Sequence, residues 1–299
     1  MTVAGQQIVV VGDALIDELR DERGSRDFVG GAALNVAVGL SVLGFSPTLL
    51  AMVGDDPDGD EIRAFLAEHG VGLIATRAPR GSSRAVSDRS EGEPRYIFND
   101  AALNRRIGFD APQRQALREA DLVLVSCFPF DDQFQADALA ESVAEPERRL
   151  VLDANPRPGL IHDLDRFATN ANRASASAAL VKMGDEDAEL LYGTSLSDAE
   201  ILLLGLGASA VLATAGRHGA SIRTADGIRV HESIVSLPGP IVDTMGAGDA
   251  TLSSVAASLL STGERGEEFW RSALFRAMAI AAATCRAEGA LLRLPGVGE

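Results

Sequence analysis

Lysine is almost missing from this chain of 299 residues: of its 27 basic residues only Lys182 is a lysine, and the others are arginine. The bias runs through the whole sequence, so the one retained lysine marks a position worth following. Cysteine is equally scarce. Cys127 and Cys285 stand far apart and fit neither a metal-ligand spacing nor a disulfide framework, which points to two buried thiols in a reducing compartment. No stretch approaches the roughly 18 apolar residues of a membrane span. The opening MTVAGQQIVVVGD carries no basic leader, so the expectation is a cytoplasmic protein with no membrane partner. Positive charge is also short: 43 acidic residues leave a net charge of −16 and a pI near 4.7. Such a surface repels phosphate backbones, which argues against nucleic acid as a partner. Any anion bound here must be held by local groups. The G-x-x-x-x-G-K-[ST] loop is absent, and GLGASA (205–210), which imitates a dinucleotide fingerprint, follows a helix and precedes a strand, the reverse of the order needed. The four histidines, His69, His162, His218 and His231, are scattered without ligand spacing.

What is present fits an ordinary globular protein. With 46% hydrophobic residues the chain can bury one large core and still carry an appendage. Short β-branched runs, IVVVGD (8–13), PTLLAMVGD (47–55), DLVLVSC (121–127), RLVLDAN (149–155), AALVKM (178–183) and AVLATAG (210–216), alternate with amphipathic stretches. Near-continuous apolar strands separated by helices predict a parallel sheet covered on both faces. Helices are expected at 31–43, 57–69, 111–119, 132–143, 185–192, 197–204, 247–261 and 267–287. Trp270 and Met278 in the last of these read as packing residues. Two segments break the rhythm: 14–29 is charged, and 76–106 alternates polar and apolar residues around Gly and Pro turns. They predict a discontinuous β lid (14–29 and 76–106) over a main α/β domain (1–13, 30–75 and 107–299), with a pair of loops as the alternative. A further hairpin is expected at 220–234, around Asp226-Gly227, at the sheet edge.

The stretch DTMGAGD (243–249) carries chemistry. Gly246-Ala247-Gly248 opens a helix whose first N–H groups lack intrahelical partners, so it can hold an anion with help from the helix dipole. A carboxylate in that first turn repels a resting phosphate; Asp249 makes sense there as the base that takes a proton from an attacking hydroxyl. The competing reading is plain dipole complementarity, with Asp243 capping a turn. Upstream, VVVGDALID ends a buried strand with Asp13 and puts Asp17 four residues on, at the carboxyl edge where open α/β sheets bind ligands. Two carboxylates there suit the hydroxyls of a polyol. Gly30-Gly31 precedes a helix whose second turn points the Asn35 amide toward the same edge.

Taken together, these residues resemble the ribokinase-like (PfkB) carbohydrate kinases, and the motifs run in order through nearly the whole chain: G-D-x-x-x-D at 12–17, GGAALNVA at 30–37, VGDDPDG at 53–59, DANPRP at 153–158, TAGRHG at 214–219, DTMGAGD at 243–249 and the closing EGALLRLP. The resemblance implies a three-layer α/β sandwich around a mostly parallel sheet with a small β-sheet lid. It implies that Asp249 is the general base, with Gly246, Ala247 and Gly248 as the anion hole for the γ-phosphoryl group of ATP. It assigns Asp13, Asp17, Gly30, Gly31 and Asn35 to the sugar. Thr214, Gly216 and Gly219, with Lys182 and Asp187, fall on the nucleotide side, Mg²⁺ arrives with ATP, and Asp243 marks a monovalent cation site such as K⁺. A homodimer through the lid is implied too. The chain departs from the pattern at Gly184–Asp187, where an N-x-x-E element lacks its Asn and shortens its acid, and at Asn99, which stands where members acting on keto-sugar acids carry Arg; Arg105 or Arg106 could substitute. DANPRP is closest to fructokinase-like members, placing Asn155 and Arg157 at the site and a neutral ketohexose first among substrates. A nucleoside kinase, stacking a base on Phe28, Phe98 or Phe128, and a non-catalytic sensor are the rivals.

Overall fold

The computed structural model describes residues 5–21, 24–88, 95–144, 149–260 and 265–296; parts of the expected lid, 22–23 and 89–94, lie outside them. In chain order the elements are β1 (Ile8–Gly12), β2 (Leu15–Asp21), β3 (Gly24–Gly30), α1 (Ala32–Val42), β4 (Thr48–Val53), α2 (Pro57–Glu68), β5 (Gly72–Arg77), β6 (Ser83–Asp88), β7 (Arg95–Phe98) and α3 (Asp100–Leu103). Then follow α4 (Ala111–Glu119), β8 (Leu122–Ser126), α5 (Gln133–Val143), β9 (Arg149–Asp153), α6 (Leu164–Ser175), β10 (Leu180–Gly184), α7 (Asp185–Tyr192), α8 (Leu196–Leu206), β11 (Ala210–Thr214), β12 (Ala220–Thr224), β13 (Arg229–Glu232), α9 (Ala247–Leu259) and α10 (Glu267–Thr284).

Nine strands form one sheet in the order β13-β12-β11-β10-β9-β8-β1-β4-β5. All neighbours from β11 to β5 run parallel, and the β12–β13 hairpin closes one edge antiparallel. Alternation along β1 explains why both faces are covered: Ile8 and Val10 enter a core with Leu34, Leu252 and Leu274 from α1, α9 and α10, whereas Val9 and Val11 enter a second with Leu117, Leu139, Phe167 and Leu203 from α4, α5, α6 and α8. Trp270 and Met278 are buried in the first core, as packing residues should be.

The two irregular segments do meet. β2 pairs antiparallel with β3 and parallel with β6, and β6 pairs antiparallel with β7, giving a second sheet in the order β3-β2-β6-β7. The main sheet reaches two residues further than expected, because β5 runs to Arg77. Arg84 on β6 fastens this small sheet to the body: its guanidinium donates to both carboxylate oxygens of Asp58 on α2, at 2.9 and 2.8 Å, and pairs with Asp27 on β3. Asp56, the cap of α2, adds a second tie by accepting from the Ser82 N–H and hydroxyl at the root of β6.

Candidate active site

β1 is flanked by β8 on one side and β4 on the other, so chain order reverses there. In an open α/β sheet the crevice beyond the strand ends at such a switch point is where ligands bind. The residues singled out in the sequence gather there: Asp13 after β1, Asp153 closing β9 with Asn155 and Arg157 beyond it, Lys182 on β10 and Thr214 ending β11. Cys127 and Asn155, just past the ends of neighbouring strands, both take left-handed backbone angles (φ 50° and 44°) although neither is glycine. Such conformations cost about 1–3 kcal/mol and persist where surrounding structure fixes them, a frequent feature of binding sites.

The turn before α9 is built as its sequence requires. Gly246 is the N-cap at φ 74°, and a Cβ there would lie 2.0 Å from the Ala290 carbonyl oxygen, so both backbone angle and neighbour demand glycine. The Ala247 N–H turns back to the Thr244 carbonyl at 3.3 Å. Ala250 donates to Gly246, which leaves the N–H groups of Gly248 and Asp249 as the helix's free donors for an anion.

Asp249 lies in this first turn, half-buried, and its Oδ2 accepts a 2.9 Å hydrogen bond from Nδ2 of Asn35 on α1. Burial pushes its pKa up to about 7, against the pull of the Asn35 bond and of Lys182 and Arg157. The Asn35 carbonyl oxygen is buried without a protein partner, free to accept from a ligand hydroxyl. Asn35, expected to face the sugar, is thus tied to the Asp249 carboxylate and orients it.

Lys182 gives the scarcity of lysine a meaning. Its ammonium lies 3.3 Å from Asp153 Oδ1 and 3.7 Å from Asp187 Oδ2. A Cβ on Gly248 would sit 3.7 Å from the same nitrogen, so a positive charge stands directly beside the turn that opens α9. Burial alone would lower the pKa of Lys182; Asp153, Asp187 and Asp249 outweigh it and hold the pKa above the ordinary lysine value. Asp153 is fully buried and keeps one oxygen, Oδ2, without a partner. The Asp153–Lys182 pairing was not anticipated from the sequence, although cross-strand register in the parallel pair places the two residues side by side.

At the other end of the crevice Asp13 accepts from the Ala33 N–H at 2.9 Å through Oδ1. Burial raises its pKa, and that bond with Arg105 and Arg157 acts in opposition. Burial, reinforced by the charges of Asp13 and Asp249, pushes Asp17 up to about 7. Gly30 makes room for Asp17: a Cβ there would fall 2.4 Å from its carboxylate. Gly31 caps α1 at φ 112° against the Asp13 backbone. Arg157 is exposed to the crevice and has no ion pair among the described residues, yet its charge bears on Asp13, Asp17 and Asp249 together. The three carboxylates can accept hydrogen bonds from ligand hydroxyls and the Arg157 guanidinium can donate them.

Beyond β11, Gly216 and Gly219 form a tight turn, with the Thr214 hydroxyl 3.5 Å from the Met183 carbonyl. Asp187 caps α7, accepting from the Gly184 N–H at 3.0 Å, and Asp243 folds one oxygen onto the Met245 N–H at 3.0 Å. Among the described residues no group of three His, Cys, Asp or Glu side chains is placed to hold a metal.

Three sequence expectations change. Asn99 does not offer its amide to a ligand in the expected way: Oδ1 accepts from the Ala102 and Arg84 N–H groups and Nδ2 donates to Ser82, so it caps α3 and joins the lid strands. Phe128 is fully buried, packed on Phe130 at 5.1 Å and on Phe109, and has no face for a base. Cys285 is half-buried rather than enclosed.

Residues 6–295 match the sequence profile of the pfkB family carbohydrate kinase. A fructokinase of Rhizobium leguminosarum bv. trifolii is 31% identical over 268 residues, covering 84% of this chain and 79% of that protein. Among solved structures, fructokinase with bound ATP from Xylella fastidiosa superposes with a TM-score of 0.82 at 21% identity, covering 95% of this chain and 93% of that one. Aminoimidazole riboside kinase from Salmonella enterica, complexed with aminoimidazole riboside and an ATP analog, gives 0.80 at 23%, covering 97% of both.

Proposed function

The chain belongs to the pfkB family of carbohydrate kinases, and from that premise we propose that it moves the γ-phosphoryl group of ATP to a hydroxymethyl oxygen of a small neutral sugar, a ketohexose first. The observation that carries this reading is the Asn35–Asp249 pair beside the free N–H groups of the α9 turn. A base poised near neutrality and a phosphate cradle share one helix end.

Asp13, Asp17 and the free Asn35 oxygen hold sugar hydroxyls, and Arg157 bridges them toward the phosphate. Asp249 accepts the proton of the attacking hydroxyl as the oxygen closes on phosphorus. The Gly248 and Asp249 N–H groups, the helix dipole and the Lys182 ammonium meet the charge on the transferring group. The lid, clasped by Arg84, keeps water from competing for the phosphoryl group.

Among the described residues no protein cage for a divalent ion is formed, so Mg²⁺ would enter on the phosphates of ATP, as it usually does, and would supply positive charge to the transferring group there. Asp243 is the residue we assign to a monovalent cation such as K⁺, through its remaining carboxylate oxygen. Tyr96 and Ile97, 59% and 56% exposed on the outer strand of the lid sheet, support a homodimer in which two lids cover each other.

Burial of Phe128 removes one of the three rings considered for base stacking, while Phe28 and Phe98 are half-buried and keep the nucleoside reading in the test. A coupled assay of ADP release with hexoses, pentoses, sugar acids and nucleosides tests the reading. Turnover with a ketohexose above all others supports it, and turnover confined to nucleosides defeats it.

A further inference from the structure

Arg105 follows α3, the short helix through which the chain returns from the lid to the body. Its Nη1 reaches only the Leu160 carbonyl, at 3.2 Å, and it has no ion pair among the described residues. Its Nε is buried with no acceptor. The residue lines a small cavity under the lid root, shared with Asp13, Leu15, Ser83, Cys127 and Leu160. Arg106 borders the same cavity, but it is exposed and pairs with Asp132 at 3.5 Å.

The cavity also places Arg105 relative to Asp249. Its lining joins Arg105 to Asp13 and Cys127 and includes neither Asn35 nor Asp249, so Arg105 approaches Asp13 from the side away from the Asn35–Asp249 pair.

Resting on the sugar-kinase reading, we propose that Arg105 is a specificity-determining residue that donates to a sugar oxygen at the end remote from the transferred phosphoryl group. The pairing with Asp13 decides which oxygen. A hydroxyl between an acceptor and a donor donates a hydrogen bond to Asp13 and accepts one from Arg105, satisfying both. A carboxylate in the same place gains from Arg105 but meets Asp13 as a like charge. The site reads a neutral hydroxyl, and a sugar lacking it leaves a buried donor and a buried acceptor unpaired at once. Sites built to bond a substrate hydroxyl reject analogues without it strongly.

The test compares wild type, Arg105→Met and Arg105→Lys by kcat/KM on the best sugar of the panel, on its two terminal deoxy analogues, and on the matching sugar acid. The analogue lacking the nucleophilic hydroxyl identifies itself because no form phosphorylates it. For the other, wild type is expected to prefer the parent sugar by about 100-fold, a preference that shrinks to near one in Arg105→Met and survives in part in Arg105→Lys. Because each ratio is internal to one protein, partial loss of folded enzyme does not distort it. An unchanged ratio in Arg105→Met overturns the proposal while leaving the kinase reading intact. So does wild type turning over parent and analogue alike, or preferring the acid. If wild type phosphorylates none of the sugars, the substrate reading falls, and Arg105 with it.

Discussion

Nδ2 of Asn35 donates to Oδ2 of Asp249 at 2.9 Å across 214 residues of sequence, tying the second turn of α1 to the first turn of α9. The bond holds the carboxylate in one orientation and favours its ionised form, in a place where burial favours the neutral one.

Replacing Asp249 by Asn is expected to lower kcat at least about a thousandfold with little change in KM, since a positioned base typically contributes 10²–10⁴ and the nucleophile also loses its guide. Steady-state kinetics at saturating ATP measure it, and wild-type-like turnover would end the assignment of the base.

The same carboxylates set a pH profile. With the Asp249 and Asp17 pKa values near 7, kcat/KM should climb on the acid side with an apparent midpoint near pH 7, belonging to the interacting pair rather than to one residue. Asn35→Ala removes a bond that lowers the Asp249 value, so the midpoint should move upward.

Stability should run the other way. Between about pH 4 and pH 7 the folded protein holds protons on Asp17 and Asp249 that the unfolded chain, with ordinary values near 3.8, has released. The folded state binds more protons there, so this contribution to stability is full below pH 4 and is lost as pH rises to 7. Asp249→Asn should therefore stabilise the ligand-free protein at pH 8 and do little at pH 4, read from urea denaturation midpoints.

Lys182→Met should reduce kcat by about 10²-fold and destabilise the protein by roughly 3–5 kcal/mol, because it leaves Asp153 a buried charge without its partner. Adding Asp153→Asn should recover much of the stability and little of the rate. Recovery of both would make the lysine purely structural.

The two glycines of the α9 turn should separate cleanly. Gly246→Ala meets both a left-handed backbone and the Ala290 carbonyl, and should cost about 2 kcal/mol or more. Gly248→Ala finds only ordinary contacts, so its folding should be unaffected. A bulkier residue at 248, such as Val, should impair catalysis while the circular dichroism spectrum stays native.

The sheet and the start of α9 were legible because β-branched runs and glycine turns are local signals. Hairpin β12–β13 announced itself through Asp226-Gly227 in the same way. α6 was not legible: LDRFATNANRAS has few large apolar residues, and Phe167 earns its place through the edge-on contact with Phe130 at 5.6 Å, which only the fold supplies. β5 was hidden because it runs straight toward the lid. Within the site, residue types and motif order were readable, but the Asn35–Asp249 bond joins distant segments and could not be. The Asp153–Lys182 pair was within reach, since aligning two neighbouring parallel strands brings them together. Asn99 misled because its role depends on the turn it caps.

A chain with one lysine, almost enclosed beside the turn that opens α9, has an unusual chemical signature. Acylating reagents meet a single side-chain amine, 9% exposed in this state of the crevice, so any opening should speed its modification. The rate at which that amine becomes modified is thus a built-in gauge of how often the crevice breathes, and of how far each bound ligand holds it shut.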